Sequence, residues 1–571
     1  MRMNLTRLFA LAAPLLLGAC ATFPQPAHLA DVYPAGMVSA ADPRASEAGA
    51  AMLRAGGSAT DAAIATLLAL NVVEPQSSGI GGGGFLLLDD GAGRMTTYDG
   101  REKAPMAATH DWFYVGGQPL TTPQAIPGGR SVGVPGNVSL MAKAHADHGV
   151  LPWKALFAPA IRLAREGFAI TPRLVHVLAY ARETGALSAE ARALYYAADG
   201  TALPAGTVVR NPALANFLEV LAARGAPAFY SGANARAIAA AVSSAPRNPA
   251  PMTTGDLATY AAKERPPVCG SYRGYRICGM GPPSSGATTV IGTLGMLERF
   301  DMRALGPSSP QAWHLIAESM RLAYADRERY LADGDFVRVP AAGLVAPAYL
   351  AARSLLISPD RTMATASAGV PAGAPLALAD TVTPDIPSTS HFVAIDRHGQ
   401  IVTETSTIES AFGSGLMVNG YYLNNELTDF SIVPDQNGVP VANRVEGGKR
   451  PRSSMAPTLV YAPDGHLRIA LGAAGGATIP AQVLKAIIGV IDWGLSSQDA
   501  IALPVIFAPG GDTVYVEKGS PMEAMIPALL ALGHKSVIAR EPSFKANAVE
   551  VVGGRLVGAA DPRSEGRAVG E

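Results

Sequence analysis

The stretch STSHFVAIDRHGQIVTETST, residues 388–407, constrains the fold more than any other part of the chain. Apolar and polar residues alternate through it, the period of two half-buried strands. In DRHGQ the residues Arg397-His398-Gly399 form a three-residue loop, so Asp396 faces Gln400. Carried back, that register sets Thr389 opposite Thr407. Directly opposed side chains have Cβ atoms about 4.5–5.5 Å apart, close enough for their hydroxyls to meet. A threonine pair of this kind is common in sheets and by itself needs no chemistry.

What precedes the hairpin gives the pair a second meaning. Residues Met363–Ser390, MATASAGVPAGAPLALADTVTPDIPSTS, are rich in small residues and proline, lack periodicity, and read as an exposed linker. If the chain is cut before Thr389, that residue gains a free α-amine beside its own hydroxyl. Such an amine titrates near about 7.7–8.0 and serves as base to the hydroxyl at neutral pH. Threonine activated by its own N-terminal amine is a known nucleophile for acyl transfer.

At 571 residues the chain exceeds one ordinary core, so two domains or one large layered domain is expected. Its 49% hydrophobic and 16% charged residues describe a globular protein, and a net charge of −1 without a basic stripe argues against nucleic acid as a partner. The N-terminus places Arg2 and Arg7 before an apolar run from Leu8 to Leu17, the order of a secretory signal and too short for a permanent span. Leu17-Gly18-Ala19-Cys20 resembles a bacterial lipobox, in which the cysteine is lipidated and becomes the new N-terminus. Residues 1–19 are therefore expected to be a signal, and a lipid on Cys20 to be the membrane attachment of an exported, periplasmic protein. Ala21, where an aspartate would retain it at the inner membrane, favours the outer membrane.

ADPRASEAGAAMLRAGGSATDAAIATLLALNVVEP reads as two short helices divided by Gly56-Gly57, with Ser58 capping the second. Four glycines, Gly81 to Gly84, then lead into an apolar strand, but no Gly-Lys-Ser/Thr follows to make a phosphate loop. Residues 135–365 are rich in alanine and leucine at helical spacing, and His145 and His148 read as an exposed helix face. In PPVCGSYRGYRICGM a two-residue turn at Arg273-Gly274 sets Cys269 opposite Cys278 at a non-hydrogen-bonded position, where strand side chains approach closest. Export permits a disulfide there, and two buried free thiols fit the same register.

TSHFVAIDRHGQIVTETSTIESAFGSG, followed by YYLNNELTDF, KRPRSSMAPT and GAAGGAT, resembles the small subunit of the gamma-glutamyltransferase (gamma-glutamyltranspeptidase) family. Upstream, EPQSSGIGGGGFLL, DGREKAP, SVGVPGNV and GPPSSGATT resemble that family's large subunit, in order. The resemblance implies an α+β fold, the four-layer αββα sandwich of N-terminal-nucleophile hydrolases, formed jointly by two subunits after self-cleavage. Residues 20–388 would be the large subunit, with its linker at about 363–388, and residues 389–571 the small catalytic subunit, the two remaining together as a heterodimer.

The same resemblance assigns the site. Thr389 matches the nucleophile and Thr407 its supporting threonine, while Gly475 and Gly476 match the backbone donors of the oxyanion hole. Arg101, Ser453 and Ser454 match the holders of the γ-glutamyl α-carboxylate. Glu426 and Asp429 match the pair that holds the ammonium, and Glu409 stands where many members have asparagine. Read alone, Arg101 would be a surface salt bridge with Glu102 or Asp99. His391 is assigned a structural role, since the N-terminal amine removes the need for a histidine base. The implied substrate is a small γ-glutamyl amide such as glutathione, with water or an amino acid or peptide as acceptor and no metal or organic cofactor. Segment 431–448, where some members carry a lid, has no aromatic latch and points towards hydrolysis. A glutaryl or cephalosporin acylase of the same fold and an uncut, non-catalytic binding protein are the alternatives.

Overall fold

Along the hairpin, one side of the alternation is made to meet helices and the other to meet a second sheet. The computed structural model describes residues 36–375, 377–381, 388–542 and 544–571. The signal and lipobox expectations, with Cys20, lie outside the described residues. The strands that matter here are Gly36–Ala40 (β1), Gly83–Asp89 (β2), Met95–Asp99 (β3), Lys263–Arg265 (β4), Val268–Tyr272 (β5) and Tyr275–Gly279 (β6). They continue with Ser390–Asp396 (β7), Ile401–Thr407 (β8), Thr458–Tyr461 (β9), Leu467–Ala474 (β10), Lys545–Val552 (β11), Arg555–Ala560 (β12) and Arg567–Gly570 (β13). One antiparallel sheet runs β13-β1-β7-β8-β2-β3-β4 and the other β12-β11-β10-β9-β6-β5. Strands from both sides of residue 389 share both sheets, so neither part of the chain completes either sheet alone.

Helices Pro43–Arg54 (α1) and Ala59–Val73 (α2) cover the outer face of the first sheet. Gly286–Leu297 (α3), Pro310–Tyr330 (α4) and Ile479–Ile491 (α5) lie outside the second, α4 backing α3. The order is helix, sheet, sheet, helix, the expected αββα sandwich. Ser58 caps α2 as anticipated: its Oγ accepts the Asp61 N–H at 3.2 Å, and Asp61 accepts the Ser58 N–H at 2.9 Å. Every residue of α2 is buried, which explains a helix that is apolar almost all round.

Pairing within the hairpin follows the sequence reading, with Ile395 opposite Ile401 and Ser390 opposite Ser406. Phe392, Ala394 and Val402 face the α1–α2 layer, whereas Val393, Ile395 and Ile401 join Leu87, Leu459 and Val549 between the sheets. Towards the other end of that same inter-sheet face the apolar residues give way to His391, Thr403, Thr405 and Thr407. The interior thus turns polar at the end where Thr389 sits.

The Cys269–Cys278 register is as expected, and the two form a disulfide with Cα atoms 4.1 Å apart. The segment read as a free linker is more tied down than its composition implies. The Met363 N–H donates to Glu318 at 2.6 Å, the Gly369 N–H to Asp326 at 2.7 Å, and the Arg353 guanidinium to the Ser367 carbonyl at 2.7 Å. A coil without periodicity still presents backbone donors and acceptors, and here buried side chains of α4, with Arg353 from a later helix, take them up.

Candidate active site

Thr389 is 3% exposed and its Oγ1 lies 3.0 Å from Thr407 Oγ1. Thr407 Oγ1 also accepts the Glu409 N–H at 2.8 Å, which leaves its own proton free to point at Thr389. Beneath them His391 bonds Thr405 Oγ1 through Nδ1 at 2.9 Å and Thr403 Oγ1 through Nε2 at 3.3 Å. The ring rests on Gly472 of β10, where any Cβ would collide with it. Burial takes the imidazole down to about 3, so it is neutral at ordinary pH. Thr389 itself has φ 120°, a left-handed conformation costly for a β-branched residue. Strain is therefore stored at the junction with Ser388, whose Oγ donates to the Gln76 carbonyl at 2.9 Å.

Above the threonines opens a cleft bordered by Arg101, Arg327, Glu409, Asp429, Ser453 and Ser454, with Gly476 on its wall. Arg101 follows β3 and is fully buried, which excludes the surface salt bridge; Glu102 Oε2 is 3.9 Å away. Its guanidinium pairs with both Glu426 and Asp429 and donates to the carbonyls of Pro451 at 3.1 Å and Arg452 at 2.8 Å. The planar fork suits this, since each nitrogen meets a different oxygen. Carboxylate oxygens of Glu409, Glu426 and Asp429 lie within 4.8 Å of one another. Burial, reinforced by the Asp429 charge, pushes the Glu409 carboxyl well above the usual carboxylate range. The residues expected to hold opposite ends of one zwitterion are thus neighbours, with Arg101 supplying counter-charge to the acids.

Two loops fix the serine pair. Ser285 donates to the Ser453 carbonyl from its N–H at 2.8 Å and its Oγ at 2.6 Å, and Ser284 Oγ donates to the Met455 carbonyl at 2.7 Å. The motif GPPSSGATT therefore clamps KRPRSSMAPT. Gly475 and Gly476, with φ 139° and 58°, turn the chain from β10 into α5, a path that favours glycine. The structure separates them: Gly476 lines the cleft, whereas Gly475 lines an adjoining cavity with Ser388.

The sequence model of the gamma-glutamyltranspeptidase family matches residues 45–571. The chain belongs to that family. It is 36% identical over 554 residues to the glutathione hydrolase proenzyme of Bacillus subtilis strain 168, covering 95% of this chain and 92% of that protein. It is 34% identical over 548 residues to the acylase ACY 1 proenzyme of Pseudomonas sp. strain SE83, covering 94% and 93%. Its fold is similar to the crystal structure of cephalosporin acylase from Bacillus halodurans, with a TM-score of 0.82 at 27% identity over 98% of this chain and 99% of that one.

The family motifs in this chain do not mark Arg327. From α4 its Nη2 donates to Ser454 Oγ at 2.6 Å and its Nε to Ser285 Oγ at 2.9 Å. In ADRERY it looks like one member of a solvated charge run. A signal was present, because Met320, Tyr324 and Arg327 share one helix face at i, i+4 and i+7 and the first two are core residues. Glu102 was missed as a functional neighbour too. Both its oxygens are buried without a hydrogen bond among the described residues, and burial pushes its carboxyl up to about 8.

Proposed function

We propose that the chain cuts itself between Ser388 and Thr389 and then hydrolyses or transfers the γ-glutamyl group of glutathione and related amides. One observation carries the reading: the strained Thr389 has its hydroxyl 3.0 Å from that of Thr407, on the floor of a cleft bearing Arg101, Glu409, Asp429, Ser453 and Ser454. Proenzyme relatives support the cleavage.

After the cut, the Thr389 α-amine takes the Oγ1 proton as Oγ1 bonds to the γ-carbonyl carbon. The resulting ammonium gives that proton to the departing amine as the C–N bond breaks, leaving a γ-glutamyl ester. Water, or an acceptor amine, then adds to the ester carbonyl and loses a proton to the α-amine. That proton returns to Oγ1 as the ester opens. The Thr407 hydroxyl supports Oγ1, and backbone donors at Gly476, with Gly475 beside it, receive the carbonyl oxygen's negative charge. Arg101, Arg327 and the serine pair favour the α-carboxylate; Glu409, Glu426 and Asp429 favour the α-ammonium. The 431–448 segment without an aromatic latch inclines the enzyme to hydrolysis. Signal, lipobox and Cys20 support an exported, outer-membrane-anchored form.

The acylase relatives raise glutaryl substrates as a second reading. A glutaryl group has no ammonium, and the three acids facing Arg101 favour a substrate that has one. Mass spectrometry of the purified protein should show a fragment beginning at Thr389, and γ-glutamyl anilide should outcompete glutaryl anilide. Thr389→Ala should remain one uncut chain and lose anilide hydrolysis by at least about a thousandfold. Normal splitting and turnover in that variant would refute the reading.

A further inference from the structure

The leaving amine must lie beside the Thr389 nitrogen that protonates it, and in the uncut chain that nitrogen is bonded to Ser388. The cavity touching Ser388 is therefore the one positioned to receive the amine side of the substrate. It is bordered by Ser77, Arg173, Tyr180, Gly475 and Lys545. Its two cations differ. Lys545 is fully buried and matched: Nζ lies 2.9 and 3.2 Å from the Glu74 carboxylate and 3.0 Å from Ser77 Oγ, and Ser390 Oγ donates to Glu74 at 2.6 Å. Arg173 is not matched. Its guanidinium makes no ion pair among the described residues, its Nε is buried without a partner, and its Nη1 reaches only the Arg563 carbonyl at 3.5 Å. The Glu565 carboxylate nearby is engaged by the Arg173 main-chain N–H at 3.3 Å. Helix Pro172–Tyr180 presents Arg173, Val177 and Tyr180 to the cavity from one face, at i, i+4 and i+7.

We propose that this cavity binds the carboxylate of the leaving group or acceptor, with Arg173 as the cation that selects it. The inference rests on the γ-glutamyl reading and names its amine-side substrate class: amino acids and short peptides with a free C-terminal carboxylate. Glutathione, whose leaving cysteinylglycine ends in a glycine carboxylate, belongs to this class.

The test compares glutathione with glutathione amidated at its glycine. For the wild-type enzyme kcat/KM should favour the carboxylate by roughly tenfold, the scale of one charge-assisted hydrogen bond. In Arg173→Gln the ratio should collapse to within about twofold through KM, and Arg173→Lys should restore part of it. A wild-type ratio near one, or the same ratio in Arg173→Gln, overturns the proposal; the first of these needs no variant to fold. Release of the anilide from γ-glutamyl p-nitroanilide, whose leaving group has no carboxylate, reads the γ-glutamyl activity separately. Failure there strikes the proposed function, whereas an unchanged ratio strikes Arg173 alone.

Discussion

Two buried polar clusters meet at Thr389, and they are built oppositely. Above it, Arg101, Glu409, Glu426 and Asp429 concentrate charge in a pocket closed to solvent on most sides. Below it, His391, Thr403, Thr405 and Thr407 form a ladder of neutral groups that satisfy one another. The difference assigns the work. Charge sits where a zwitterionic substrate would bring its own charges, and neutral donors surround a hydroxyl whose base, under the proposed cleavage, would come from the backbone. A carboxylate in the ladder would compete with the α-amine for the hydroxyl proton.

Breaking the charged cluster should have the largest effect. Arg101→Met leaves Glu426 and Asp429 facing each other without their cation; removing one partner of a buried pair costs about 3–5 kcal/mol. Urea melts should register that loss, and kcat/KM for γ-glutamyl anilide should fall by about a hundredfold or more. Arg101→Lys should not restore it, because a point charge cannot serve two carboxylates and two carbonyls at once. Wild-type kinetics in that lysine variant would mean the fork geometry is immaterial.

Breaking the ladder at its top should cost less. Thr407→Val keeps the shape, removes the hydroxyl beside Thr389 and strands the Glu409 N–H; both cleavage and turnover should slow by about tenfold. Gel-monitored processing and anilide kinetics check it, and an effect on KM alone would move Thr407 out of the ladder and into the substrate pocket.

An effect that vanishes at neutral pH sharpens the claim that the ladder is uncharged. His391 is held at about 3 in the folded protein, against about 6.5 when unfolded. Between those values the unfolded chain binds a proton that the folded one does not. Stability therefore rises with pH across that window and is lost as pH falls below about 6.5. His391→Gln removes this contribution, so the stability gap between wild type and variant should change towards acid by up to about 1.4 kcal/mol per pH unit. Denaturant melts from about pH 4 to pH 7 would show it. Parallel profiles would place an ordinary, solvated imidazole at this position.

How far the residues alone reached differs from element to element. The 390–407 hairpin, its register, the disulfide-bearing hairpin and the capped α2 were legible because each is local: alternation, turn residues and a cap act within a few positions. The site residues were legible through their motifs but not through their physics. Arg101 and Glu426 are 325 positions apart, and a salt bridge is invisible until both sheets are assembled. Arg327 hid in a charge run, and Arg173 has no motif, since its significance depends on Lys545 already being matched by Glu74.

The sequence by itself determined the two-strand unit that carries Thr389, through periodicity and near-neighbour spacing, and it carried the layered fold and the list of site side chains through the motifs it shares with the gamma-glutamyltransferase family. Tertiary structure alone decided which charges meet, which stay unmatched, and which face of the Ser388–Thr389 bond is acidic or cationic. The reason is physical: burial and electrostatic pairing depend on three-dimensional distance, and folding sets that distance by packing segments far apart in the chain against one another.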